Sequence, residues 1–213
     1  MRRSLKLLAC LALLAPLAAR AGAQAEEPLS ASVQASLQKA VSDHAVSSLV
    51  LASDGESRRW LAAMSPRIER QMANETLRLD FLRTVHYEAT RAGLEPELVL
   101  GLIQVESAFR KYAVSTAGAR GFMQVMPFWV TAIGNEEHNL FHLRTNLRYG
   151  CTILRHYLDI ERGNLFRALG RYNGSLGQAE YPNLVLRAWR TWQVPVVRSV
   201  EFHPPAASAP VKR

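Results

Sequence analysis

Cysteine is nearly absent from this chain of 213 residues: there are two, Cys10 and Cys151. Cys10 lies in a segment expected to be removed, so no intramolecular disulfide is expected in what remains. Cys151 falls between Leu147 and Leu154 on an apolar helical face and reads as a small buried core residue. As a nucleophile it would need a base at helical spacing, and His156 is five residues away and off that face. The six histidines show no ligand spacing, so neither a metal nor any other cofactor is expected. Strand-like alternation of apolar and polar residues is scarce, which excludes a β-rich fold. The longest apolar run, residues 7–19, is too short to span a bilayer, so no stable membrane anchor is expected. Arginines are numerous but scattered, without the clustered patch and interleaved aromatics of a nucleic-acid surface, and no nucleic-acid partner is expected.

The two ends differ in composition from the middle. Arg2, Arg3 and Lys6 precede the short apolar run, and Ala21-Gly22-Ala23 follows it. This is the order of a secretory signal peptide, predicted over residues 1–23, and it implies export to the periplasm. Its removal takes four positive charges and no acid, so the formal net charge falls from +8 to +4. From residue 194 the chain turns to Pro, Ala, Ser and basic residues, the composition of a disordered tail over 194–213. Hydrophobic residues make up 48% of the chain, enough to bury a core.

Between those ends the periodicity is helical, and the class is all-α. Leu29, Val33, Leu37 and Val41 recur at four, Asp54-Gly55-Glu56-Ser57 reads as a turn, and Trp60, Leu61, Met64, Ile68 and Met72 continue the phasing around Pro66. Residues 24–78 thus form an N-terminal helical segment without visible chemistry, either packed on the following domain or a partly ordered spacer. Phe81, Leu82, Val85 and Ala89 make the next stripe, stopped at Gly93. Later stripes are Leu147, Cys151, Leu154 and Leu158; then Leu165, Leu169 and Tyr172 after a cap at Asn164; then Leu184, Val185, Ala188, Trp189 and Trp192.

The chemistry concentrates in residues 98–124. Pro96 is placed as the first residue of a helix whose Leu98, Val99, Leu102 and Val105 share a face. Glu106 lies at the edge of that face, near the helix C-terminus. Desolvation and the negative helix end both disfavour its ionised form, so its pKa is expected to be raised. A carboxyl that keeps its proton near neutrality can donate it to a leaving oxygen. No Asp or Glu follows until Glu136, while Ser115, Gly118, Gly121, Met123, Gln124 and Met126 crowd in. The Gly118–Gly121 stretch is expected to turn tightly and residues 122–126 to form a short helical turn closed by Pro127. Such a lining suits a neutral, hydroxyl-rich ligand.

Three runs now stand in order: Glu106-Ser107, Gly118-Ala119-Arg120-Gly121-Phe122-Met123-Gln124-Val125-Met126-Pro127, and Arg171-Tyr172-Asn173-Gly174. Together they resemble the SLT-type catalytic domain of family 1 lytic murein transglycosylases, over about residues 79–193. The resemblance implies a lysozyme-like helical domain with extra N-terminal helices. It also implies a reaction: non-hydrolytic cleavage of the β-1,4 bond between N-acetylmuramic acid and N-acetylglucosamine in peptidoglycan. Glu106 would protonate the glycosidic oxygen, then deprotonate the C6 hydroxyl, leaving a 1,6-anhydro end in the course of cell-wall turnover or remodelling. Matched position by position, Ser115, Gln124 and Met126 would line the groove beside the acid, Tyr172 would hydrogen-bond near it, and Asn173 stands next to that tyrosine. Phe122 replaces the usual leucine, and Gly174 comes one position earlier than in the family's Ala-Tyr-Asn-Ala-Gly run. The implied partner is the peptidoglycan glycan strand, with recruitment by a cell-envelope assembly left open. Two other classes remain: a muramidase that hydrolyses the same bond with a second carboxylate and a water, and a non-catalytic peptidoglycan-binding protein.

Overall fold

The structure, a computed structural model, describes residues 24–42 and 55–193. The predicted signal peptide and C-terminal tail lie outside the described residues. Among the described residues eight α-helices follow in order: α1 (Ala31–Val41), α2 (Gly55–Met64), α3 (Glu75–Arg91), α4 (Pro96–Ser107), α5 (Phe128–Ile133), α6 (Leu143–Ile160), α7 (Leu165–Asn173) and α8 (Glu180–Trp192). No strand occurs among the described residues, only two isolated bridges in the loop after α4. The all-α class is therefore observed.

Local chemistry sets the boundaries. Ser30, Asn74 and Asn164 cap α1, α3 and α7, each side-chain oxygen accepting from a backbone N–H three residues on. Pro96 opens α4 as expected. Gly93 adopts φ 66° behind α3, where a side chain would be strained. Two local expectations are corrected. Gly55–Ser57 is the first turn of α2 and not a free turn, because Ser57, Trp60, Leu61 and Met64 already share its buried face. Residues 122–126 are not helical: Arg120 and Val125 exchange both backbone hydrogen bonds around a turn in which Gln124 takes φ 50°.

Helix α4 runs through the centre. Its six residues Leu98 to Ile103 are all buried, so the sequence stripe widens to nearly the whole circumference. Gly101 lets α8 approach closely: a Cβ there would lie 2.6 Å from the Trp189 backbone nitrogen. Trp192 fastens the far end of α8 by donating from Nε1 to Gln104 Oε1 at 2.7 Å. This close pairing of α4 with α8 positions the site.

The described residues of the N-terminal segment, 24–42 and 55–78, pack on the rest. Leu37, Val41, Trp60, Leu61, Met64 and Ile68 belong to the same core as α3 to α8, and Trp60 Nε1 donates to Glu97 at 2.8 Å. The junction placed at residue 79 falls inside α3. A buried ion cluster ties α1, α3 and α6 together. Glu88 is fully buried and faces Arg148 at 2.9 Å, Arg91 at 3.0 Å and Arg144 at 3.5 Å, while Arg91 Nη2 also reaches the Ala40 carbonyl.

Candidate active site

Glu106 stands in the last turn of α4, half-buried. The chain then leaves the helix abruptly, with Ala108 and Phe109 both in the left-handed region at φ 48° and 63°. Non-glycine residues hold such angles only where packing over-determines them. Here the Phe109 ring is wedged between Phe81 and Trp192, with centroids at 6.0 and 5.6 Å. The loop that follows is pinned from α6 by Asn146. This buried amide accepts from Met123 N and donates to the carbonyls of Arg120 and Leu140, all at 2.8 Å. Gly121 is required beneath it, since a Cβ there would meet Asn146 Nδ2 at 2.4 Å.

The Tyr181 hydroxyl donates to Glu106 Oε1 at 2.5 Å. Burial pushes the Glu106 pKa up from 4.5 to about 8, and the Tyr181 hydrogen bond opposes the rise because it favours the carboxylate. The expected direction is thus observed, and desolvation is its cause. Of the acids that could supply a second carboxylate, Glu97 is engaged by Trp60, Glu95, Glu136 and Glu137 are exposed, and Glu88 is held by arginines. Glu180, beside Tyr181, is exposed as well, and Glu106 is thus a carboxyl whose proton burial retains and whose orientation the Tyr181 phenol holds.

The other sequence-selected residues take these places. Ser115 is half-buried, and its Oγ accepts from Ala119 N at 3.0 Å, closing the loop. Gln124 is buried, and its Nε2 donates to the carbonyls of Ala113 and Gly121 at 3.1 and 2.9 Å. Met126 is half-buried, two residues ahead of α5. Tyr172 is buried, with its hydroxyl donating to the Met123 carbonyl at 2.8 Å. It does not hydrogen-bond Glu106, although it feels that charge, and burial drives its own pKa well above 10. Asn173 is buried with Nδ2 unpartnered. Ser115 and Gln124 thus shape the loop, and Tyr172 ties that loop to α7.

Sequence reasoning missed Tyr181, although it continues the α8 stripe one turn backwards, four residues before Val185 and seven before Ala188. Gln24 was missed too: its Oε1 accepts from Trp129 Nε1 at 3.0 Å and Met126 N at 3.3 Å. Nothing in its sequence neighbourhood marks it. Cys151 is free and fully buried, and burial pushes its thiol far up, which fits a core residue and not a nucleophile.

The site thus combines a left-handed exit from the central helix, a desolvated glutamic acid and a following loop pinned to α6. The family described as Transglycosylase SLT domain matches residues 83–183, a little under half of the chain, and this stretch is similar to SLT transglycosylase domains. Over 47 residues it is 55% identical to "Membrane-bound lytic murein transglycosylase C" of Actinobacillus pleuropneumoniae, covering 22% of this chain and 13% of that protein. Over 103 residues it is 32% identical to "Transglycosylase" of Enterobacteria phage PRD1, covering 48% of this chain and 38% of that one. The chain therefore spans well under half the length of these relatives. A solved structure of an inactive mutant of the lytic transglycosylase Slt from Pseudomonas aeruginosa aligns with TM-score 0.42 and 21% identity, over 63% of this chain and 25% of that one. No helix among the described residues is long and apolar enough to cross a membrane.

Proposed function

We propose that the protein is a peptidoglycan lytic transglycosylase in which Glu106 serves as acid and then as base. The observation that carries this reading is the pair of Glu106 and Tyr181: a carboxyl oriented through Oε1, whose pKa burial raises and to whose shift no other carboxylate among the described residues contributes. The names of the SLT relatives, a murein transglycosylase and a phage transglycosylase, point the same way.

Proton donation to the bond between N-acetylmuramic acid and N-acetylglucosamine releases the leaving hydroxyl. The sugar's own acetamido oxygen stabilises the developing cation. Glu106, now a carboxylate accepting from Tyr181, removes the C6 hydroxyl proton as that oxygen attacks C1, and the 1,6-anhydro ring closes without water. One group used twice needs a pKa near the working pH, and burial supplies it. The internal hydroxyl brings the high effective concentration of an intramolecular nucleophile. Export to the periplasm and a part in wall turnover or remodelling complete the proposal; Gln124, Ser115, Met126, Tyr172 and Asn173 are the proposed groove residues.

The test is mass spectrometry of fragments released from purified peptidoglycan. Anhydro-muropeptides from the wild type and none from Glu106→Gln support the reading. Reducing ends, one water heavier, identify a hydrolytic muramidase, and sedimentation with the wall without release identifies a binder.

A further inference from the structure

The loop that follows Glu106 turns an apolar and cationic ledge to solvent. Tyr112 is 70% exposed and Val114 61%. Phe141, from the connection between α5 and α6, places its ring 5.9 Å from that of Tyr112. Both rings carry a cation: Lys111 Nζ lies 5.2 Å from the Tyr112 centroid, and Arg120 Cζ lies 5.9 Å from that of Phe141. Val114 and Arg120 pair across an antiparallel bridge, which puts their side chains on one side. A single exposed apolar side chain calls for no explanation. These stand together and are fixed from beneath. The buried Asn146 amide donates to the Arg120 and Leu140 carbonyls at once, Asn139 Oδ1 accepts from Phe141 N at 2.8 Å, and Gln124 Nε2 holds the Ala113 carbonyl between Tyr112 and Val114. The groups that shape the loop beside the acid therefore also shape this ledge.

Its charge is of one sign. Residues 107–135 contain no Asp or Glu, and among the described residues neither Lys111 nor Arg120 has a carboxylate partner. Exposed ring-cation contacts add little to the fold, so the arrangement is suited to an outside ligand that is anionic and carries small apolar groups. The short peptides borne by peptidoglycan strands have that chemistry, with alanine methyl groups between free carboxylates.

We propose that this ledge binds the acidic stem peptide of peptidoglycan, with its methyl groups on Tyr112, Val114 and Phe141 and its carboxylates at Lys111 and Arg120. Two cations match the several carboxylates of a peptide better than the single one of a lactyl group. The inference rests on the peptidoglycan reading above and adds to it a site for the peptide, apart from the sugar at Glu106.

The experiment measures binding of soluble, uncrosslinked glycan strands to the full chain carrying Glu106→Gln, which prevents turnover. One set of strands keeps its peptides; the other is stripped by an amidase, which leaves the glycan and its lactyl carboxylates. The parent is compared with Lys111→Gln/Arg120→Gln and with Tyr112→Ser, and thermal melts report folding. Loss of two exposed ion pairs is worth about a three- to tenfold rise in Kd. The expected result is that the parent prefers peptide-bearing strands by about that factor and both variants lose the preference. Their melting temperatures and their affinity for stripped strands should stay unchanged. An equal loss on both kinds of strand assigns the cations to the glycan and overturns the proposal, as does an undiminished preference in the variants. If the parent binds both strands equally, only the ledge falls; if it binds neither, the peptidoglycan reading falls and the ledge with it.

Discussion

Replacing the candidate acid should stabilise the fold, and the gain should grow with pH. Glu106 holds its proton in the native state up to about pH 8, against 4.5 for an exposed glutamate. Between those values the unfolded chain releases a proton that the folded one keeps, so ionisation favours unfolding and stability falls as pH rises. Below pH 4.5 both states are protonated and the effect vanishes; above 8 it is complete. At about 1.4 kcal/mol per pKa unit, the cost reaches about 5 kcal/mol above pH 8 and about 3 kcal/mol at pH 7. Glu106 keeps partial contact with solvent, so screening reduces this by roughly half, to about 1.5 kcal/mol at pH 7. Glutamine keeps an acceptor for the Tyr181 hydroxyl and never ionises. Urea unfolding of wild type and Glu106→Gln at pH 4.5, 6, 7 and 8.5 checks it: the curves should nearly coincide at the lowest pH and separate in favour of Glu106→Gln as pH rises. A gap that is constant with pH, or wild type more stable at pH 8.5, would refute the desolvation argument.

Further outcomes follow from the same geometry. Tyr181→Phe removes the one hydrogen bond that opposes the rise of the Glu106 pKa, so the alkaline limb of kcat/KM should move up by about one to two pH units, with kcat lowered; an unmoved limb would detach Tyr181 from the acid. Gly101→Ala forces α4 and α8 apart at the Trp189 backbone and should cost about 1–3 kcal/mol, read as a lower Tm and reduced activity. Glu88→Ala leaves three arginines facing a buried void and should cost about 3–5 kcal/mol in denaturant unfolding. Cys151 should not react with a thiol reagent in the native state and should react fully in denaturant.

What was legible in the sequence was what repeats or is punctuated. The stripes of α1, α3, α6, α7 and α8, apart from Leu184, which α8 leaves exposed, and the Asn164 cap and Pro96 start follow from spacing, because helix periodicity and capping are local. The Glu106 pKa direction was legible for the same reason, since its phase on α4 fixes its burial. The groove loop was not. Its turn at Gln124 depends on Asn146, two dozen residues later, and on a glycine under that amide. Tyr181 meets Glu106 only because Gly101 lets α8 lie against α4. Gln24 meets Trp129 across more than a hundred residues. Each is a long-range contact made by one side chain, and no periodicity announces it.

The central claim is that Glu106 is a neutral acid at the pH of use. Carbon-13 NMR of the glutamate carboxyls, assigned by difference against Glu106→Gln, measures it directly. A resonance that disappears in the variant and titrates near pH 8 is the predicted result, and its midpoint should rise in Tyr181→Phe. A midpoint near 4.5 would contradict the account, for Glu106 would then be a carboxylate with no proton to give.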